Sequence, residues 1–166
     1  QKESTLQLVL RLRGGATASA PLVDLVGNTF LDGEGNTVDL AAVAKDAPLI
    51  GIYFSAHWCG PCRHFTPSLV EFKSSLSEEE DVDFPIIFGS SDQDEAAMRE
   101  YFGSMEGFNA FKFGDGKIEA LKAKYGASGI PWLVVVNAKT GELVLNEADT
   151  EVPQGPQAYK KWLSAI

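Results

Sequence analysis

Apolar positions change their period several times along the chain, and each change marks an expected element. Leu49–Ser55 is an unbroken apolar and aromatic run of strand length, the pattern of a central strand covered on both faces. Beyond it Phe65, Leu69, Phe72 and Leu76 recur at intervals of 4, 3 and 4, which puts them on one face of an amphipathic helix opening near Arg63. Pro67 falls inside that pattern and is expected to kink it. Residues 84–89 predict the next buried strand, and Ser91 and Asp92 ahead of Asp94 and Glu95 predict a capped helix reaching about Phe102. Ile118, Leu121 and Tyr125 mark a further helix closed by Gly126. Residues 132–136 and 142–145 predict a hairpin, and Tyr159, Trp162, Leu163 and Ile166 a C-terminal helix. Upstream, residues 28–31 and 37–40 flank the turn-rich Asp32-Gly33-Glu34-Gly35-Asn36 and predict an N-terminal hairpin, followed by a short helix over 40–45. Residues 103–116, rich in glycine and phenylalanine but without a period, are expected as a partly packed loop. Residues 16–21 are small and featureless and read as a linker. This order of elements predicts one α/β domain over 22–166, a central mixed β-sheet flanked by helices with an N-terminal hairpin extension.

Composition narrows the function classes. With 166 residues, 45% of them hydrophobic, the chain can bury a full core, and its formal net charge of −9 disfavours a nucleic-acid partner, which requires a cationic surface. No apolar run approaches the roughly 20 residues of a spanning helix, so no membrane partner is expected either. No apolar signal-peptide core is found, and a cytoplasmic location, with the nucleus as the alternative, is expected. The chain holds two cysteines in all, Cys59 and Cys62, which fits a reducing compartment better than a secreted disulfide scaffold.

Those two cysteines sit in Trp58-Cys59-Gly60-Pro61-Cys62, between the Leu49–Ser55 run and the helical pattern. A thiol pair at a strand-to-helix junction has the helix's unpaired N–H groups and dipole available to stabilise a thiolate, and predicts a dithiol/disulfide redox site. Inert burial is the ordinary alternative, and the tight Gly60-Pro61 spacer argues against it. His57 and His64 flank the pair and could make a Cys/His zinc set. Pro61 in the spacer and the lack of a second CxxC argue against a metal site, and both histidines read as surface residues.

In that setting the Trp-Cys-Gly-Pro-Cys motif resembles the thioredoxin superfamily. Tyr53-Phe54-Ser55-Ala56-His57-Trp58-Cys59, then Cys62-Arg63 and Phe65-Thr66-Pro67, resemble its tryparedoxin/nucleoredoxin branch. Phe88-Gly89-Ser90-Ser91-Asp92, Tyr101-Phe102, Tyr125-Gly126 and Gly129-Ile130-Pro131 extend the similarity over roughly 22–166. The resemblance implies a thioredoxin-like sandwich in which Pro131 follows a cis peptide bond beside Cys59, and in which the Ile130 backbone and Trp58 receive an extended substrate segment. Gly60 departs from the branch, which usually has a second proline there. Trp132 stands where thioredoxins usually have threonine, and residues 106–114 replace the Pro-Trp and apolar stretch expected in the branch. Tyr53 occupies the position of thioredoxin's buried aspartate, leaving the proton acceptor for Cys62 unassigned.

The function so implied is reduction of protein disulfides, with Cys59 as nucleophile, Cys62 as the resolving thiol and a mixed disulfide between them. No metal or organic cofactor is expected, but an external electron donor is. The alternative is a redox-regulated binding module of nucleoredoxin type without significant turnover. Separately, residues 1–15, QKESTLQLVLRLRGG, resemble the last 15 residues of ubiquitin, with Gln7 where ubiquitin carries histidine. That resemblance implies cleavage by a deubiquitinase after Gly15, whether the tail is the remnant of an engineered fusion or part of a natural ubiquitin-fused precursor.

Overall fold

A computed structural model of the chain describes residues 18–166; the ubiquitin-like stretch 1–15 lies outside the described residues. The elements run α1 (Ala20–Val26), β1 (Phe30–Leu31), β2 (Thr37–Val38), α2 (Leu40–Ala44), β3 (Leu49–Ser55), α3 (Gly60–Glu80), β4 (Ile86–Ser90) and α4 (Glu95–Phe102). They continue with β5 (Asn109–Phe111), α5 (Gly116–Lys124), β6 (Trp132–Asn137) and β7 (Leu143–Leu145). Two 3₁₀ turns, Ala148–Thr150 and Val152–Gln154, then lead into α6 (Pro156–Ser164).

One mixed sheet of seven strands, in the order β2-β1-β5-β4-β3-β6-β7, carries the domain. β3 pairs parallel with β4 and antiparallel with β6, and all seven of its residues are buried, as its unbroken apolar run predicts. Successive side chains of a strand point to opposite faces. Leu49 and Tyr53 of β3 therefore join one core, with Leu69, Phe72 and Leu76 of α3, Met98 and Tyr101 of α4, and Trp162 of α6. Ile50, Ile52 and Phe54 join the other, with Leu22 and Val26 of α1, Leu40 of α2, and Ile118 and Leu121 of α5. Gly51 lies where an added Cβ would meet Phe84 Cζ at 3.0 Å, so the strand gives way there to let an aromatic cluster onto the sheet. In that cluster the Trp162 ring centroid lies 5.5 Å from Phe72 and 5.9 Å from Phe84, contacts that add about 0.5–1.5 kcal/mol each beyond their buried area.

The structure departs from the sequence reading in three elements. Residues 20–21, assigned by composition to a linker, form the first turn of α1, whose N-cap Ser19 accepts from the Leu22 N–H at 3.1 Å and donates to the Ala138 carbonyl at 3.2 Å. Residues 109–111, assigned to a loop, form β5, parallel to β4 and antiparallel to β1, so the N-terminal hairpin joins the main sheet through it. Finally, α3 opens at Gly60 rather than near Arg63 and continues through Pro67 to Glu80.

Candidate active site

β3 ends at Ser55 inside the core, and the turn through Ala56, His57 and Trp58 feeds directly into α3. Cys59 is the N-cap of that helix, its backbone extended (φ −92°, ψ 113°), and its sulfur takes the place usually held by a serine or aspartate oxygen, accepting the Cys62 N–H at 3.2 Å. Pro61 stands in the first turn, where its missing N–H costs nothing. Negative charge on Cys59 Sγ therefore meets one aimed N–H and the positive end of a 21-residue helix. Across the site the Cys59 thiol donates to the Ile130 carbonyl at 3.7 Å, and the Ile130–Pro131 bond is cis. The loop carrying it is braced from behind: Trp132 Nε1–H donates to Asn146 Oδ1 at 2.7 Å, and Asn146 Nδ2–H donates to the Tyr125 carbonyl at 2.7 Å.

The two thiols differ in setting. Cys59 retains 6% of its surface and Cys62 none, so the pair is more enclosed than a solvent-facing junction suggests. Burial first, then the hydrogen bond with Cys59, pushes the Cys62 thiol up to about 11, against opposing contributions from the Ser55 hydroxyl and the Ala56 backbone. Ser55 belongs to a cluster of four buried hydroxyls. Ser55 Oγ is 2.6 Å from Tyr101 OH, Tyr101 OH is 2.6 Å from Thr66 Oγ1, and Thr66 Oγ1 is 2.7 Å from Tyr53 OH.

Trp58, next to Cys59 in the chain, is 59% exposed, its Nε1–H donating to the Ser91 carbonyl at 2.9 Å. Asp92, buried at the end of β4, accepts the His57 N–H and the Ser90 hydroxyl, each at 2.8 Å, and so ties the turn before the cysteines to the neighbouring strand. Next to the turn an open groove of about 700 Å³ is lined by His57, Arg63, Thr66, Glu71, Tyr101 and Glu106 among others.

Of the residues the sequence singled out, Trp58, Cys59, Gly60, Pro61 and Cys62 thus stand together at the start of α3, with Ile130 and Pro131 opposite. No atom lies within 4 Å of where a Gly60 Cβ would be, so space does not dictate glycine in the spacer. His57 and His64 are both exposed, and no group of three or more potential metal-binding side chains is found among the described residues. Ser55, Thr66, Tyr101 and Asp92 escaped the sequence reading as site residues. Thr66 alone had a local signal, a polar residue one helical turn after Cys62 on the buried face of α3.

Paired thiols, one capping a helix and one sealed beneath it, make an arrangement suited to exchange with disulfides. Residues 48–143 match the family model described as thioredoxin-like. The chain belongs to the thioredoxin-like family, in its tryparedoxin/nucleoredoxin branch. It is 32% identical to the tryparedoxin of Trypanosoma brucei brucei over 132 residues, covering 76% of this chain and 90% of that protein. To the probable nucleoredoxin 1 of Arabidopsis thaliana it is 42% identical over 109 residues, which are 65% of this chain but 18% of that protein. Among solved structures, tryparedoxin II of Crithidia fasciculata superposes with a TM-score of 0.74 at 29% identity, over 84% of this chain and 90% of that one. The chain thus spans a small part of the nucleoredoxin it matches and nearly all of the tryparedoxin. Among the described residues no helix is long and apolar enough to cross a membrane.

Proposed function

We propose that the chain reduces disulfides in protein substrates, with Cys59 as the attacking thiol. One observation carries this reading: Cys59 Sγ caps α3, accepting the Cys62 N–H at 3.2 Å, with the Ile130 carbonyl 3.7 Å away on the other side. A thiolate at that position is stabilised by the helix terminus and attacks a substrate sulfur to form a mixed disulfide. Cys62, one helical turn along, attacks Cys59 Sγ, closing the Cys59–Cys62 disulfide and releasing the substrate thiol. The partly buried Ile130 and Pro131 border the attacking sulfur, where a substrate backbone would lie, and the exposed Trp58 ring offers an apolar contact beside it. Direct exchange between sulfurs needs no metal or organic cofactor, but each turnover leaves the pair oxidised, so an external reductant must restore it. The working compartment in this reading is the cytoplasm or the nucleus, whose reducing poise keeps such a pair supplied.

A second reading has its own support in Trp58, a large aromatic exposed at the rim of the thiol pair. In it the domain docks a protein partner through that face, and the disulfide state sets the affinity without turnover. Multiple-turnover reduction of a model protein disulfide, fed by a small dithiol, separates the two. Sustained activity in the unaltered chain and none in Cys59→Ser is the expected result. A folded, inactive chain would overturn the reductase reading and favour the docking module. Incubation with a deubiquitinase tests the 1–15 stretch separately, with cleavage expected after Gly15.

A further inference from the structure

The Ile130 carbonyl, 3.7 Å from Cys59 Sγ, sits in a loop with few bonds of its own. Residues 125–131 join α5 to β6. The first three are tied back to the helix: Tyr125 N–H donates to the Leu121 carbonyl at 3.0 Å, Gly126 N–H to that of Ala123 at 3.3 Å and Ala127 N–H to that of Lys122 at 2.8 Å. Beyond them Ser128 and Gly129 are exposed, and the N–H groups of Ser128, Gly129 and Ile130 meet no backbone carbonyl among the described residues. The sheet takes over at Trp132, paired with Phe54 of β3. Where Ile130 stands against Cys59 therefore depends on how the two ends of the loop are held relative to each other, and Asn146 holds both. Its Oδ1 accepts the Trp132 Nε1–H and its Nδ2–H reaches the Tyr125 carbonyl, each at 2.7 Å. An indole N–H can only donate and a carbonyl can only accept, so the link needs an acceptor and a donor on one short side chain, which the asparagine amide provides. Asn146 is itself fixed. Its Oδ1 also accepts the Glu147 N–H at 3.0 Å, and Asp149, further along the same turn, accepts the Leu133 N–H of β6 at 3.0 Å.

We propose that Asn146 is a positioning residue for protein substrates: by stapling Tyr125 to Trp132 across the base of the loop it fixes the Ile130 backbone beside Cys59 Sγ, and so sets how well an extended, disulfide-bearing segment binds. The inference rests on the reductase reading above and adds what the site selects, a peptide backbone over a small disulfide. Asn146 acts only through the loop. While the staple is closed, an incoming segment meets a backbone edge already in place. Once it is open, the loop has to be ordered at the moment of binding, and that cost is taken from affinity. Attack by the sulfur is untouched, because Cys59 Sγ is placed by the start of α3, where it accepts the Cys62 N–H.

Two probes with one leaving group separate backbone binding from sulfur chemistry. The first is a short extended peptide whose single cysteine is in mixed disulfide with a chromogenic aromatic thiol. The second is the same mixed disulfide on 2-mercaptoethanol, which has no peptide group. In both, the Cys59 thiolate bonds to the alkyl sulfur, the bond to the aromatic sulfur breaks, and the aromatic thiolate leaves with its electron pair. The readout is the ratio of the two rate constants for the first phase of chromophore release, which a general loss of thiol reactivity does not move. The unaltered chain is expected to favour the peptide by about tenfold or more, as pairing with a backbone edge implies. Asn146→Leu, which keeps the shape and removes both hydrogen-bonding groups, is expected to lose about fivefold of that preference, the worth of about one hydrogen bond, with the 2-mercaptoethanol probe within about twofold. Trp132→Phe keeps a ring, loses the N–H and is expected to shift the same way; it decides the matter if Asn146→Leu does not fold. The double variant should lose no more than the worse single one, because both open the same staple. Unchanged preference in both single variants overturns the inference, and equal slowing on both probes overturns it in favour of a packing role. Additive losses in the double variant overturn the staple. An unaltered chain that treats both probes alike overturns the inference and leaves the reductase reading standing, whereas a folded chain that releases no chromophore from either overturns both.

Discussion

Replacing Cys59 with serine leaves Cys62 as the single thiol of the chain, and the rate at which that thiol reacts can be worked out from its surroundings. In the folded chain it is held at about 11 against an ordinary value of 9.0. At pH 7 that gap lowers the thiolate fraction about a hundredfold relative to the unfolded chain. A more basic thiolate is also the better nucleophile toward a disulfide, by about threefold for each pH unit of basicity, which restores about eightfold across the gap. Ionisation alone therefore leaves a deficit of about tenfold, and enclosure of the sulfur adds to it. The serine hydroxyl stands where the Cys59 sulfur stood and keeps a hydrogen-bonding group there, and burial, the first cause of the rise, is unchanged. The assay compares native and urea-unfolded Cys59→Ser in their reaction with a small uncharged aromatic disulfide across pH. Native protein is expected to react about tenfold or more slowly at pH 7, and its rate should keep climbing beyond about pH 9, where that of the unfolded chain levels off. Equal rates at pH 7, or levelling at the same pH in both states, would refute the assignment of Cys62 as the sealed thiol.

The same inequality should appear in stability. Because the folded value is raised, the Cys62 contribution is fully present below the unfolded value of 9.0 and is lost as pH rises through about 11, with a ceiling of about 3 kcal/mol. Urea midpoints measured between about pH 8.5 and 10.5 should fall less steeply in Cys62→Ala than in the unaltered chain, and identical slopes would count against it. Asp92→Ala strands the His57 N–H and the Ser90 hydroxyl, both of which it accepts at 2.8 Å. Leaving buried donors unpaired costs about 1–3 kcal/mol each, so urea unfolding should report a loss of a few kcal/mol, and a loss under about 0.5 kcal/mol would show that the tie is replaceable.

Legibility in the sequence followed how far each element depends on its neighbours. The unbroken apolar run of β3 and the Leu69, Phe72 and Leu76 stripe of α3 are complete local signals, and both elements fold where their periods put them. β5 has three residues and no pattern of its own; it is a strand because β4 offers a parallel edge on one side and β1 an antiparallel edge on the other. The start of α1 carried a signal that composition masked: Ser19 two positions ahead of Pro21 is an N-cap followed by a helix-opening proline. Within the site, adjacency in the chain made Cys59 and Cys62 legible. Ser55, Thr66 and Tyr101 come from β3, α3 and α4, and nothing in their spacing announces that their hydroxyls meet.

By itself the sequence determined the α/β order of elements, the central strand, and a dithiol at its C-terminal end, because strand and helix periods and a two-residue spacer are properties of neighbouring residues. Only the tertiary structure decided that the Ile130 carbonyl lies 3.7 Å from Cys59 Sγ, across 71 residues of chain, and that the Ser55, Thr66 and Tyr101 hydroxyls meet in the core. Those features come from packing α3 and α4 against one face of the sheet. Burial there sets which thiol is sealed and which side chains surround it, and burial is a property of the assembled layers, written in no single segment.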